Sequence, residues 1–267
     1  MPSATTVVIP CYNEAVRLPK DRVLALADSG IHVLLVDDGS TDGTALVLRL
    51  LAQSRPGRVS ILERPGNCGK GEAVRAGFLA ALKSGSRIVA YLDADFATPV
   101  EEMIRILNEL KSGSARAALG SRIAVLGAQI ERRAIRHYLG RIFATFASMV
   151  LRLPVYDTQC GAKAFRASPA LLAALAEPFH ARWAFDVELI GRLLAAGLTQ
   201  DDFLEVPLRR WVDVAGSRLR PMHFPLLGWE LLRIQVALAG FRRNIGPARV
   251  LLEAPAPAIV DIREDVG

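Results

Sequence analysis

Cysteine is scarce here. Three residues in 267, Cys11, Cys68 and Cys160, show neither Cys-x-x-Cys nor zinc-type spacing. An odd, scattered set argues against a disulfide frame and fits reduced thiols in a cytoplasm. Long apolar runs are missing too. IFATFASMVL over 142–151 is among the longest free of charge, yet it has only ten residues, where a bilayer crossing needs roughly 20. No basic region followed by a long apolar core opens the chain, so a signal peptide is not expected. The expectation is a protein that is soluble or peripheral to a membrane. Two nucleotide signatures are also lacking. A P-loop requires G-x-x-x-x-G-K-[ST], whereas in PGNCGKGEA (65–73) Gly66 and Gly69 stand too close and Gly71 follows Lys70. No G-x-G-x-x-G follows the first apolar run, which disfavours a dinucleotide oxidoreductase.

What is present points to a folded α/β chain. Apolar residues make up 51% and charged residues 22%, which excludes disorder. The length suffices for one large domain or two small ones. Net charge is +6, a balance that suits nucleic acid, a phosphorylated small molecule or an acidic membrane surface.

The first hundred residues alternate short apolar runs with helical patterns. TTVVIP (5–10) reads as a strand, followed by a helix around 18–29. HVLLVDD (32–38) is a second strand, and TDGTALVLRLLAQ (41–53) a second helix with Asp42 as its N-cap. RVSILER (58–64) is a third strand, and GKGEAVRAGFLAALKSG (69–85) a helix ended by Gly85. RIVAYLDAD (87–95) is a fourth strand, and TPVEEMIRILNELKSG (98–113) opens with threonine, proline and then acids. This order predicts a mostly parallel sheet with helices on both faces.

Beyond residue 113 the pattern loosens. RAALGSRI (116–123) reads as a strand, RRAIRHYLGRIFATFASMVLRLP (132–154) as a basic-then-apolar helix, and FDVELIGRLLAAG (185–197) as a helix. DFLEVPLRRW (202–211) reads as one strand, and FPLLGWELLRIQVALAGFRR (224–243) as an amphipathic helix.

Ligands of such sheets sit beyond the carboxyl ends of the strands. Pro10–Glu14, Asp37–Asp38 and Asp93–Asp95 should therefore line one rim. Asp93-Ala94-Asp95 ends an apolar strand, where unpaired carboxylates are expensive to desolvate. They suit a hard cation such as Mg²⁺ or Mn²⁺ beside a diphosphate; the alternative is a helix N-cap with a solvated turn. Asp37 and Asp38 can accept from a base N–H or ribose hydroxyls, with Gly39 allowing the sharp turn; the alternative is an ordinary strand-to-helix turn. Tyr12 could lie against a base and Glu14 accept from a ribose, beside Pro10 and Asn13, although a polar surface loop fits nearly as well. Gly69 and Gly71 would bring a ligand close to backbone, with Lys70 nearby.

In order, VVIPCYNEAVRLP, VLLVDDGSTDGT, GKGEAVRAGF and YLDADFATP resemble the inverting glycosyltransferases of family 2. The later pieces GSRI, YDTQCGAKAFRAS, RWAFDVELI and EVPLRRWVDVAGSRL resemble dolichyl- and polyprenyl-phosphate glucosyl- and mannosyltransferases, the glucosyl branch most closely. The resemblance, over roughly 5–220, implies a GT-A fold, a nucleotide-sugar donor and a divalent metal. It implies Asp95 as metal ligand, Asp93 on ribose or a metal-bound water, and Asp37 or Asp38 on the nucleoside. It also implies a catalytic domain over 1–220, with 221–267 an amphipathic segment of the same unit.

The implied reaction moves a hexose, glucose from UDP-glucose, to a polyprenyl phosphate with inversion. The alternatives are another sugar, a soluble hydroxyl acceptor, or nucleotide-sugar binding without turnover. Asp157 and Asp186 are the candidate bases, or else structural acids paired with Lys163 or Arg182. A phosphate acceptor needs little base catalysis but does need cations against the donor diphosphate, which Arg122, Arg136 and Arg218 can supply. Residues 132–153 and 224–241 fit an anionic membrane interface or, equally, helices packed on the core. The expected location is the cytoplasmic face of a membrane, with no nucleic-acid partner.

Overall fold

A computed structural model describes residues 4–131, 134–213 and 224–244. The strands are β1 (Thr5–Cys11), β2 (His32–Asp37), β3 (Val59–Glu63), β4 (Ile88–Leu92), β5 (Ala117–Ser121), β6 (Gln129–Glu131), β7 (Ala162–Arg166), β8 (Phe203–Pro207) and β9 (Arg210–Val212). The helices are α1 (Lys20–Asp28), α2 (Thr44–Ser54), α3 (Lys70–Lys83), α4 (Val100–Ser112), α5 (Ala134–Leu151), α6 (Pro169–Ala174), α7 (Phe185–Ala195) and α8 (Phe224–Asn244). The main sheet runs β3-β2-β1-β4-β7-β5-β8, parallel except at β7, which is antiparallel to both β4 and β5.

Period-two alternation sorts the core into two layers. Val7 and Ile9 of β1, with Ala90 and Leu92 of β4, face one layer and meet Val23, Leu48 and Met103 of α1, α2 and α4. Val8, Val89 and Tyr91 face the other, against Phe78, Phe143, Phe185 and Leu189 of α3, α5 and α7. Helices therefore cover both faces, as the sequence pattern predicts. This is the GT-A fold.

Local signals act at helix ends, though not always where expected. At α2 the N-cap is Gly43 rather than the expected Asp42, because the helix starts only at Thr44; Asp42 Oδ1 still accepts the Thr44 N–H at 2.9 Å. Gly85, at φ 88°, follows the end of α3 and takes the left-handed conformation glycine favours.

The later half differs from the sequence reading. The run DFLEVPLRRW is two strands, because after Leu208 the chain leaves β5 and pairs with β6 through β9. Pro207, which has no N–H to give, stands at the switch. The strand β7 and the short helix α6 were not foreseen. The helix α8 packs through Leu231, Ile234 and Leu238 into the layer built by α5 and α7. Gly191 permits this approach, since a Cβ there would lie 2.5 Å from Leu238 Cδ1.

Candidate active site

Parallel pairing of β1, β2 and β4 brings the three acid clusters to one rim. Cys11 is in register with Asp37, and Asp93 follows the end of β4. On the β2 side Asp37 Oδ1 accepts the Ser40 N–H at 3.0 Å. Asp38 is buried and accepts from Arg64 Nη1 (2.6 Å), Cys68 N (3.2 Å) and Gly69 N (2.8 Å). It thus pins the 64–69 loop to the strand end and keeps capacity for roughly one further bond. Gly39 is required, with φ 68° and a virtual Cβ only 2.5 Å from Gly66 backbone. The β1 end is laced to the same turn. Asn13, at φ 53°, accepts the Thr41 N–H at 2.9 Å and gives its own N–H to Ser40 Oγ at 3.0 Å. The Glu14 N–H goes to Thr44 Oγ1 at 2.8 Å, Tyr12 is half-buried beside them, and Pro10 pairs with Val36 inside the strand.

Beyond the β4 end the chain turns, with the Phe96 N–H donating to Asp93 O at 3.0 Å; Ala94 is buried, while Asp93 and Asp95 are each half-buried. The Asp93 N–H donates to Gly161 O at 2.9 Å. A Cβ at Gly161 would sit 2.2 Å from the Asp93 carboxylate, so any larger residue there would displace that side chain. Lys70 Nζ stands 2.6 Å from Asp93 Oδ1, with the Tyr91 and Phe185 ring centroids at 5.6 and 5.7 Å. Crowding alone would lower the Lys70 pKa, but the charges of Asp93, Asp186 and Asp95 outweigh it and hold the ammonium above its ordinary value. The side chain is still 40% exposed, so that cation faces a mouth rather than the interior. Asp95 accepts the Ala97 N–H at 3.0 Å, and burial, then the neighbouring charge of Asp93, pushes its carboxyl above the ordinary aspartate value.

Two neighbouring half-buried carboxylates, one of them with its pKa raised by burial and by the other's charge, form a site that a hard divalent cation fits. Among the described residues no cluster of three or more His, Cys, Asp or Glu forms a cage. The protein thus offers one or two carboxylates, as Mg²⁺ sites completed by substrate phosphates do.

The two other acids have definite partners. Asp157 accepts from Arg122 through its backbone N–H (3.1 Å), Nε (2.6 Å) and Nη2 (2.8 Å). Arg122 also lies over Trp211 at 5.4 Å, and the Asp157 charge, outweighing burial, raises its pKa. Its fork is thus engaged by Asp157, leaving Nη1 as the edge that could face an anion. Glu205 of β8 holds the same loop by accepting the Tyr156 and Asp157 N–H groups at 2.9 and 2.8 Å. Asp186, of α7, is buried and accepts from Lys163 Nζ at 2.9 Å and from the Tyr91 hydroxyl. Lys163 also donates to Cys160 O, so this triad anchors the loop that ends at Gly161. Of the expected pairings, Asp186 takes Lys163, while Asp157 takes Arg122 rather than either Lys163 or Arg182. Arg218, Arg132 and Arg133 lie outside the described residues, as does the side chain of Arg136. Lys163 and Gly161 were missed as site residues. A lysine alternating with Phe165 in AKAFR was the available signal for a buried cation.

Residues 6–171 match Glycosyl transferase family 2. The chain belongs to that family. It is 34% identical to the dolichyl-phosphate beta-glucosyltransferase of Drosophila melanogaster over 86% of this chain and 74% of that protein. To the polyprenol monophosphomannose synthase of Mycolicibacterium smegmatis it is 31% identical, over 85% and 87% of the two chains. The fold is shared with glucosyl-3-phosphoglycerate synthase from Mycobacterium tuberculosis, crystallised with Mn²⁺, UDP and phosphoglyceric acid. The TM-score is 0.59 at 21% identity, covering 91% of this chain and 79% of that one. As a family 2 glycosyltransferase, this chain is an enzyme of hexosyl transfer.

Proposed function

We propose that this glycosyltransferase transfers glucose from UDP-glucose to a polyprenyl phosphate, with inversion, at the cytoplasmic face of a membrane. The observation that carries the acceptor class is the engagement of Asp186 by Lys163 and Tyr91. A hydroxyl acceptor needs a base able to take its proton, whereas a phosphate oxygen is already anionic near neutral pH. The relatives named above are named for dolichyl phosphate and for the making of polyprenol monophosphomannose, which supports the same reading.

In this reading Asp37, Asp38 and the Tyr12–Glu14 turn bind the nucleoside, and Asp95 with Asp93 would hold Mg²⁺ or Mn²⁺. When bound, that cation supplies charge neutralisation for the departing diphosphate. Lys70 adds a fixed positive charge at the same mouth, and Arg122, held rigid by Asp157, presents Nη1 towards the approaching acceptor phosphate. Arg218 is proposed to close over the diphosphate. The anionic acceptor oxygen attacks the anomeric carbon in line, and the protein's cations relieve the repulsion between the two phosphates. Residues 1–220 form the catalytic domain and 221–267 belong to the same unit.

Among the described residues no helix is long and apolar enough to cross a membrane. Two helices that pack together nevertheless expose apolar stripes: Ile142, Phe146 and Met149 on α5, and Trp229, Leu232 and Val236 on α8. Such stripes suit monotopic contact with a lipid surface. The test is a screen of UDP- and GDP-sugars with a short polyprenyl phosphate and with soluble hydroxyl acceptors, products read by mass spectrometry. Glucosyl transfer from UDP-glucose to the phosphate is expected. Transfer from GDP-mannose would move the donor to mannose, and transfer to hydroxyls alone would overturn the acceptor.

A further inference from the structure

Glu230 interrupts the apolar run of the last helix, where a carboxylate has no evident reason to stand. The fold supplies one. Its Oε1 accepts the Arg182 N–H at 3.2 Å, and its Oε2 accepts those of Trp183 and Ala184 at 3.2 and 2.9 Å. Ala184 is the N-cap of α7 and makes no side-chain cap of its own. The first N–H groups of a helix need acceptors, and an anion there is favoured. A residue of α8 therefore ties down the start of α7.

The surroundings of those amides make the tie more than structural. Segment 182–186 lies against the donor loop. Arg182 Nε is 3.8 Å from the point a Cβ on Gly69 would occupy, and Phe185 Cβ is 2.7 Å from that point on Gly71. Between these glycines stands Lys70, lying over the Phe185 ring and paired with Asp93. Asp186, one residue on, holds Lys163 and Tyr91 under the same mouth. An unbroken series of contacts thus runs from Glu230 through 182–185 to Lys70 and Asp93. The neighbouring Trp229 is 60% exposed on the outer stripe of α8.

We propose that Glu230 is a positioning residue: it makes α8 part of the roof over Lys70, so that the seating of α8 sets the geometry of the donor mouth. The proposal rests on the glycosyl-transfer reading of Asp93 and Lys70, but not on the identity of the acceptor. The nucleoside side meets this series at Gly69, whose backbone N–H is fixed on Asp38 at 2.8 Å, whereas the side chains that the tie supports, Phe185 and Lys70, stand on the Asp93 side. Loss of the tie should therefore appear in kcat and leave the KM for donor nearly unchanged.

The experiment compares Glu230→Ala and Glu230→Gln with wild type, using whichever sugar donor and acceptor wild type turns over. Amide hydrogen exchange over 179–190 is followed in parallel. Glu230→Ala should lower kcat about tenfold, a change of ~1.4 kcal/mol in the barrier, while donor KM moves less than about twofold. Exchange should accelerate at 182–184. Glu230→Gln, which keeps an acceptor oxygen and serves as the folded reference should the alanine variant fail, should fall between. Accelerated exchange with wild-type kcat in either variant would overturn the positioning role. So would unchanged exchange, or a loss confined to donor KM. Failure of wild type to use polyprenyl phosphate would count against the proposed acceptor, and the exchange and kcat arms would still decide the role of Glu230.

Discussion

Lys163 Nζ and Asp186 Oδ1 stand 2.9 Å apart, both side chains almost wholly out of water. Breaking one side of a buried pair costs about 3–5 kcal/mol, because the other charge is left unpaired. Asp186→Asn alone should therefore lose stability in urea unfolding, whatever its activity. The double variant Lys163→Met/Asp186→Asn removes both charges and should recover most of that loss. Once folded, it should keep more transfer to polyprenyl phosphate than Arg218→Ala. A drop of about 10²–10⁴-fold in the folded double variant would restore Asp186 as a general base.

The Arg122–Asp157 pair calls for the same separation with the opposite functional outcome. Asp157→Asn should destabilise the protein by about 3 kcal/mol, since it weakens a bidentate partner of a desolvated guanidinium. Arg122→Met/Asp157→Asn, which keeps an acceptor for the Arg122 and Gln159 backbone N–H groups, should recover most of that loss and still lack transfer, because the cation facing the acceptor is gone. Urea denaturation with single-turnover assays distinguishes the two effects. Transfer at the wild-type rate in that double variant would remove Arg122 from the mechanism.

Asp95 illustrates function opposing stability. Its folded-state pKa is raised by burial and by Asp93, so the ionised form is disfavoured in the native state and this strain is relieved as pH falls through the raised pKa. At neutral pH and without metal, Asp95→Asn should melt no lower than wild type. Metal-dependent binding of the nucleotide-sugar and transfer should both be lost. Near-normal activity of that variant at saturating metal would refute the ligand assignment.

The thiols should report on the donor loop. Cys160 is buried, and burial followed by the Asp157 charge pushes its pKa to about 11. Cys11 is raised further, again chiefly by burial. Only Cys68 is exposed. At pH 8 an alkylating reagent should modify one cysteine per native chain and three per unfolded chain, counted by mass spectrometry. Because the Cys68 N–H is held by Asp38, saturating nucleoside diphosphate should slow that single modification.

The outer stripes of α5 and α8 should bind vesicles containing anionic lipid, and added salt should weaken the binding over the range where the screening length shrinks. Replacing Arg132 and Arg133 with glutamate should weaken it further in a sedimentation assay. No binding at low salt would favour a soluble acceptor.

Much of the first half was legible in the sequence because each element signals locally. Fully apolar strands, a glycine after α3 and acids opening α4 need no distant partner, and the parallel order then brings the acids to one rim. The pairings were only partly legible: Lys163 with Asp186 stood among the alternatives, beside Asp157 and Arg182, while Arg122 with Asp157 did not. Lys163 sits in the middle of a strand with no neighbouring acid, and only the long-range meeting of β7 with α7 supplies Asp186. Arg122 and Asp157 are 35 residues apart and meet through a loop held by Glu205. Glu230 reads as a mere interruption of an apolar run until the opposing amides of α7 are in place.

The antiparallel strand β7 also fixes the order in which the site can be completed during synthesis. The half-sheet β3-β2-β1-β4 is encoded before residue 93, yet β4 keeps a bare apolar edge until residues 162–166 leave the ribosome and insert beside it. All five residues of that edge strand are buried in the finished protein, so a stalled chain ending before Ala162 would present an aggregation-prone template. One ending before Gly161 would also lack the carbonyl that receives the Asp93 N–H. The nascent enzyme thus carries its acidic pair long before it can hold that pair in place.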